Sequence, residues 1–225
     1  MGIGEKKISP FFISVAAVVT VTVGIIIGVI STGNAKMKFE TEYFFVCYAV
    51  RDNALSADAI SDTVSNYGGA GYVLEYGGNY YVTVACYYTA NEANRVRQTL
   101  LKRGLECSVL EVETAEYRLQ SAAAKNKEKL FLGNLNTLNS LSRMCYDCAN
   151  GLDTGKYNQS AAKGVLKDVK SGLEGLRNAN LENCFSSELK RLIAECDSIN
   201  GYVLSKDMRK LQIAIADTVI NIELY

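Results

Sequence analysis

The residues best suited to chemistry in this 225-residue chain are its seven cysteines, because the chain has no histidine. Without histidine, Ser-His and Cys-His nucleophile pairs, imidazole acid-base catalysis and His-containing metal sites are excluded. Cys145 and Cys148 form a CxxC pair, and Cys184 and Cys196 could complete a four-thiolate zinc site. All four lie on apolar helical stripes without zinc-ribbon spacing, which favours packing over metal or redox chemistry. We therefore expect no metal site and no cofactor.

Other signals of catalysis and of nucleic-acid binding are also missing from the sequence. It contains no phosphate-binding loop, no nucleophile motif and no paired carboxylates in a glycine-lined setting. Lys+Arg and Asp+Glu each number 24, so the formal net charge is zero and gives no basic surface for phosphates. The sequence therefore predicts a protein that is not an enzyme, has no catalytic residues and does not bind nucleic acid.

An uncharged apolar segment near the N-terminus predicts a membrane anchor at residues 11–31. About twenty helical residues span roughly 30 Å, the thickness of a bilayer core. A cleaved signal peptide is the alternative, but its apolar region would be shorter and would end in an A-x-A-like site. Residues 1–10 then form a short cytoplasmic tail and residues 32–42 a linker. On this interpretation the protein crosses the cell membrane once, with the bulk of the chain on the extracytoplasmic side.

Residues 43–113 alternate between strand and helix patterns. Strand composition occurs in four segments, residues 43–50, 72–76, 80–87 and 106–112. Two amphipathic helices separate the first from the second and the third from the fourth, and Gly77-Gly78 predicts a tight hairpin between the middle two. This β-α-β-β-α-β order and its short connections predict a four-stranded antiparallel sheet, with both helices on one face and the other face open.

Two stretches of this region, "YFFVCYAVRDNALSADAI" and "NYYVTVACYYTANEANRVRQTLLKRGLECSVLEV", resemble the two repeats of a SPOR domain. Each half of that family begins with an aromatic–x–Val–Gln–Val–Gly–x–Phe type of strand, followed by an alanine-containing helix. Val46 stands where the family usually has Gln, and Tyr48 where it has Gly. The resemblance implies a cell-envelope protein of a division or sporulation septum. Its open sheet face would bind peptidoglycan, chiefly glycan strands stripped of peptide stems.

Strand alternation selects the residues for such a site. In the first strand it places Phe45 and Cys47 towards the two helices, and in the third strand it places Val82, Val84 and Cys86 there. The predicted glycan-binding residues, on the opposite face and at the hairpin turn, are Phe44, Val46, Tyr48, Tyr81, Thr83 and Asn79. Aromatic rings offer flat apolar faces that suit the apolar side of a sugar ring.

Two interpretations of this aromatic face remain open. Tyr and Phe are favoured in strands because they fit a pleated surface, and the rest of the chain could cover them as a second core layer. The first interpretation predicts a membrane-anchored, SPOR-like envelope protein that binds peptidoglycan. The alternative predicts a scaffold or protein–protein interaction subunit of a membrane complex that does not bind glycan.

Residues 114–225 lack strand signals and repeat apolar residues at helical spacing. Breaks at 150–158, at 178–187 and at Gly201 divide this segment into helices that we expect to form an antiparallel bundle. The bundle would bind a protein partner or brace the SPOR-like module. The predicted fold class is thus α+β: an N-terminal transmembrane helix, the four-stranded sheet with two helices on one face, and then an α-helical bundle.

Overall fold

The computed structural model describes residues 41–114, 124–179 and 186–221, with side chains in the second range described from residue 130 onward. The first range contains strand β1 (Glu42–Arg51), helix α1 (Ala54–Asn66), strands β2 (Tyr72–Tyr76) and β3 (Asn79–Tyr87), helix α2 (Ala90–Lys102) and strand β4 (Ser108–Glu113). The rest is helical, with α3 (Ala124–Asp153), α4 (Gln159–Asn178), α5 (Ser186–Ser198) and α6 (Ser205–Ile220).

Local sequence signals account for where these elements begin and turn. The Asn53 side chain accepts a hydrogen bond of 2.9 Å from the backbone N–H of Ser56 and so caps α1. Thr89 caps α2 in the same way. Gly77 and Gly78 have φ angles of 58° and 76°, the left-handed values that a two-residue hairpin turn requires.

The four strands form one antiparallel sheet in the order β2-β3-β1-β4. Each helix of the first range connects two strands that are separated in the sheet by a third strand, so the sheet contains two interleaved split β-α-β units. Strands β2 and β4 are the two edges.

The second sheet face, which the sequence predicted to be open, is covered by helices. Tyr43, Phe45 and Leu74 on this face are fully buried in the same core cluster as Leu135 of α3 and Leu211 of α6. We call this side of the sheet the covered face. The helices α1 and α2 pack on the opposite face: Ala57 of α1 contacts the cluster around Val82, and Ala93 of α2 contacts the cluster of Phe44 and Val46. The sheet is therefore the middle layer between two layers of helices.

The described residues belong to one compact unit, Lys38–Tyr225. The predicted SPOR-like segment 43–113 and the helical segment 114–225 therefore contribute to one hydrophobic core. The predicted transmembrane helix, residues 11–31, lies outside the described residues. Within the described ranges, no helix is both long and apolar enough to cross a membrane. The α+β class and the four-stranded antiparallel sheet are as predicted, but two points of the predicted fold class are corrected: the six helices of the described residues include none that could span a membrane, and the second sheet face is not open.

The predicted alternation is wrong at the start of β1. Phe44 and Val46 pack under α2, whereas Phe45 and Cys47 lie on the covered face. Residues 43–47 are all buried, because both faces of the sheet are packed. In such a run the sequence does not indicate whether the odd- or the even-numbered residues face α1 and α2.

Two β-bulges then change the parity of both central strands. Val46 pairs with Ala85 but Cys47 pairs with Thr83, which leaves Val84 as an extra residue in β3. Ala49 pairs with Val82, so Tyr48 is the extra residue in β1. As a consequence Val82 and Val84 face α1 and α2 as predicted, but Cys86 joins the core of the covered face.

Candidate functional site

The structure does not bring the predicted glycan-binding residues together on one surface. Phe44 and Val46 are buried beneath α2. Thr83 is fully buried, and its hydroxyl donates to the carbonyl oxygen of Tyr72 at 2.8 Å. Tyr81 is half-buried against the core of the covered face. These four side chains serve packing.

Only two of the predicted residues are exposed, and each has a local role. Tyr48 lies in the β1 bulge with 39% of its surface exposed. Asn79 closes the hairpin turn, where its side-chain amide donates to the carbonyl oxygen of Gly77 at 3.4 Å. Since they lie at a strand bulge and at a turn, they do not form the continuous aromatic surface that the alternation predicted.

Tyrosine hydroxyls on the covered face bind the helices that cover it. Tyr43 donates to the Asn139 side chain of α3 at 3.2 Å, and Tyr88 donates to Ser142 of the same helix at 2.8 Å. The guanidinium of Arg143 lies 4.0 Å from the centre of the Tyr88 ring. Large rings therefore fill the layer between sheet and helices, while their polar ends find partners inside it.

Helix α6 is joined to the sheet backbone in the same layer. The Gln212 side-chain amide donates to the main-chain carbonyl oxygen of Cys86 at 3.0 Å, and the main-chain carbonyl oxygen of Gln212 accepts from the Ser142 hydroxyl at 3.2 Å. All three residues are buried. Because each bond lies away from water, losing one leaves a buried polar group without its partner, which is costly.

A charged network lies where β2 meets α5 and α6. The Tyr72 hydroxyl donates to Asp217, which also accepts from the side chain of Asn221. Arg191 donates to the Tyr72 hydroxyl at 3.4 Å and forms an ion pair with Glu188 at 2.9 Å. Burial raises the pKa of Asp217 above its usual value despite these partners. Burial, then the nearby Asp217 carboxylate, raises the pKa of Tyr72, so its hydroxyl remains a donor.

The raised pKa of Asp217 predicts a pH dependence of stability. The folded chain holds a proton on this carboxyl more tightly than the unfolded chain, whose carboxyl has the ordinary pKa of 3.8. The stability gained through the protonated carboxyl is therefore complete below that value, and it is lost as the pH rises through the folded-state pKa. Relative to Asp217→Asn, the wild type should gain stability in urea titrations as the pH is lowered from about 7 towards about 4. Asp168→Asn, on an exposed part of α4, is the control; a wild-type advantage that grows with pH would contradict the assignment.

Most of the described cysteines lie in the core rather than in a site. Burial raises the pKa of Cys47 to about 12, that of Cys148 to about 11 and that of Cys196 to about 12. Thiols held this far from ionisation are poor nucleophiles. Within the described ranges, no group of three or more His, Cys, Asp and Glu residues is placed to hold a metal ion. Cys184 lies outside those ranges.

A concave surface runs along the edge strand β2. It has a volume of about 700 Å³ and lies between the start of α1 and the end of α6. We call it the β2-edge groove; its lining residues are Ala54, Asp58, Val73, Glu75, Tyr76, Gly77, Gly78, Tyr80, Asp217 and Asn221. Three carboxylates and two tyrosines give it an acidic and aromatic character. Sequence reasoning missed it, because α1, the hairpin and α6 meet there only in the fold.

Comparison with known proteins gives no family for this chain. No family model matches the sequence, and the searches of curated proteins and of solved structures found no match either. The resemblance to a SPOR domain therefore stays a prediction from the quoted motifs.

Proposed function

We propose that this chain is a protein–protein interaction or scaffold subunit that does not bind glycan. The observation that carries the proposal is the position of α3 and α6 on the covered face, the face through which a SPOR domain would bind glycan. Of the two functions that the sequence left open, this arrangement favours the second. The membrane and septal setting depends on residues 11–31 and on the family resemblance, and it remains a prediction.

Opening the covered face for a ligand would be energetically costly. Tyr43, Phe45 and Leu74 are each fully buried there. Burial of one large apolar side chain contributes roughly 1.5–3 kcal/mol, so exposing all three costs several kcal/mol. That is a large part of the 5–15 kcal/mol by which typical domains are stable. A sugar ligand would have to offset this cost before it contributed any net affinity.

Sedimentation with purified sacculi tests the absence of glycan binding. The full chain, kept in solution with mild detergent, is mixed with intact or amidase-treated sacculi and centrifuged. We expect the pelleted fraction to equal that of a sacculus-free control, because the predicted aromatic face is filled by α3 and α6. A pelleted fraction above that of the control would contradict the proposal. If this fraction then fell in the double variant Tyr48→Ser, Asn79→Ala, glycan binding would be assigned to these two exposed residues.

Site-specific photocrosslinking in cells of the natural host gives the positive arm of the same test. Tyr67 and Tyr202 are the most suitable positions, because 87% and 74% of their surfaces are exposed and substitution there disturbs no core packing. An interaction subunit should give discrete protein adducts from at least one surface position. A scan of exposed positions that gives no adduct would contradict the proposal.

A further inference from the structure

The edge strand β2 directs unpaired backbone groups into the β2-edge groove. In a hairpin with a two-residue turn, the flanking residues exchange hydrogen bonds, and bonded and non-bonded pairs then alternate. Tyr76 pairs with Asn79 across the Gly77-Gly78 turn, so Leu74 is again a bonded position. Val73 and Glu75 lie between the bonded positions, and their N–H and C=O groups point away from β3. Among the described residues, no strand pairs with this edge.

The walls of the groove suit an extended chain. Val73 and Glu75 line it together with Asp58 of α1 and Asp217 at the end of α6, and these two helices pack on opposite faces of the sheet. Successive side chains of a strand point to opposite faces. A strand added at this edge would therefore place alternate side chains towards α1 and towards α6, and both sides present a carboxylate.

The charge of the groove indicates the chemistry of its occupant. Asp58 and Glu75 are exposed, and no Lys or Arg is among the lining residues. Asp217 already accepts hydrogen bonds from Tyr72 and Asn221, so the two exposed carboxylates are the ones available to a ligand. The nearby rings of Tyr76 and Tyr80 add faces that attract cations.

We propose that the β2-edge groove docks an extended, lysine- or arginine-bearing segment of a partner protein, which adds as a fifth strand to β2. Strand addition takes its affinity from main-chain hydrogen bonds and its specificity from alternate side chains. This inference rests on the proposed interaction function and names the site and chemistry of its partner. A second copy of the chain fits less well, because it would bring together two grooves that each carry the exposed carboxylates of Asp58 and Glu75 and have no Lys or Arg among their lining residues, and like charges close together across strands are destabilising.

A pair of labelled peptides tests the inference on the full chain in mild detergent. The probes are the fluorescein-labelled hexapeptides KVTVKV and EVTVEV, which share strand propensity and differ in charge. By fluorescence anisotropy we expect KVTVKV to bind at least about tenfold more tightly, because each basic side chain can pair with an exposed carboxylate. Binding of KVTVKV should also slow hydrogen exchange at the amides of Val73 and Glu75, and its affinity should fall as salt is raised.

A matched pair of variants locates the binding. Asp58→Asn combined with Glu75→Gln should weaken KVTVKV binding about tenfold. Glu111→Gln combined with Glu113→Gln makes the same change of net charge on the other edge strand, β4, and should change it less than about twofold. All four side chains are exposed, so both variants should keep the fold, which unchanged hydrogen exchange in the core would show.

Several results would overturn the inference. Equal binding of the two peptides, no binding at millimolar concentration, or equal weakening by both variants would each do so. If hydrogen exchange at the amides of Val73 and Glu75 slowed with rising protein concentration in the absence of peptide, the groove would be assigned to a second copy of the chain. Protein adducts at Tyr67 or Tyr202 without peptide binding would leave the proposed function standing and overturn only this inference, whereas sacculus binding would overturn the function itself.

Discussion

Replacing Phe45 with Ala is expected to lower the free energy of unfolding by about 3–5 kcal/mol. Phe45 is fully buried on the covered face, in one core cluster with residues of α3 and α6. The substitution removes a large apolar side chain and leaves a cavity between sheet and helices, and both effects reduce stability. Urea titration followed by circular dichroism measures the change.

Tyr48→Ala is the matched control on the same strand. Tyr48 is the extra residue of the β1 bulge and is partly exposed, so its loss should cost no more than about 1 kcal/mol. The alternation predicted from sequence placed Phe45 towards the two helices of residues 43–113, whereas the structure packs it against α3 and α6. A larger loss for Tyr48→Ala than for Phe45→Ala would contradict the packing described here.

Gly71→Ala is expected to be the most damaging glycine substitution in the sheet. Gly71 has a φ of 58°, and a Cβ atom there would lie 2.5 Å from the carbonyl oxygen of Ser61 in α1. The left-handed conformation costs a side-chain-bearing residue roughly 1–2 kcal/mol, and the clash with backbone adds to it. We therefore expect a loss of about 3 kcal/mol or more in urea titrations, with α1 displaced from the start of β2.

Gly77→Ala separates the two contributions. Gly77 has the same φ of 58°, but a Cβ atom there would meet nothing within 4 Å. Its substitution should therefore cost only the conformational penalty, roughly 1–2 kcal/mol. Equal losses for the two variants would mean that Ser61 does not crowd Gly71 and that α1 is placed differently.

Local signals were sufficient to predict the strands and helices of residues 43–113. The hairpin follows from two adjacent glycines, and the start of α2 follows from the capping residue Thr89. These features depend on residues close together in sequence. The structure accordingly has the strand and helix order that the sequence predicted in this region.

The packing of the sheet could not be predicted in the same way. Alternation of apolar and polar residues identifies the buried face of a strand only when the other face is exposed to solvent. Residues 43–47 are buried on both faces. The bulges at Tyr48 and Val84 reversed parity without any glycine to mark them. The face assignment failed at Phe44 and Val46 for these reasons, whereas Tyr81 lies on the side of the sheet that the alternation predicted.

The β2-edge groove was beyond sequence reasoning for a different reason. Glu75 and Tyr80 lie beside the predicted hairpin, but Asp58 comes from the preceding helix, α1, and Asp217 comes from α6, near the end of the described chain. Their proximity depends on α6 packing against the covered face, which no local pattern reports. The one available signal was Glu75 itself, an exposed carboxylate on a short strand next to a tight turn.

The central claim is that the sheet and the C-terminal helices share one core, and cysteine-resolved unfolding tests it most directly. Cys47 and Cys86 report on the sheet, and Cys145 and Cys196 report on the helices; all four are buried in the same cluster. Alkylation of each thiol is followed by mass spectrometry along a urea titration. The shared core predicts one midpoint for all four thiols and an equal shift of all four in Phe45→Ala. A shift confined to Cys47 and Cys86, with the helix thiols unchanged, would contradict it.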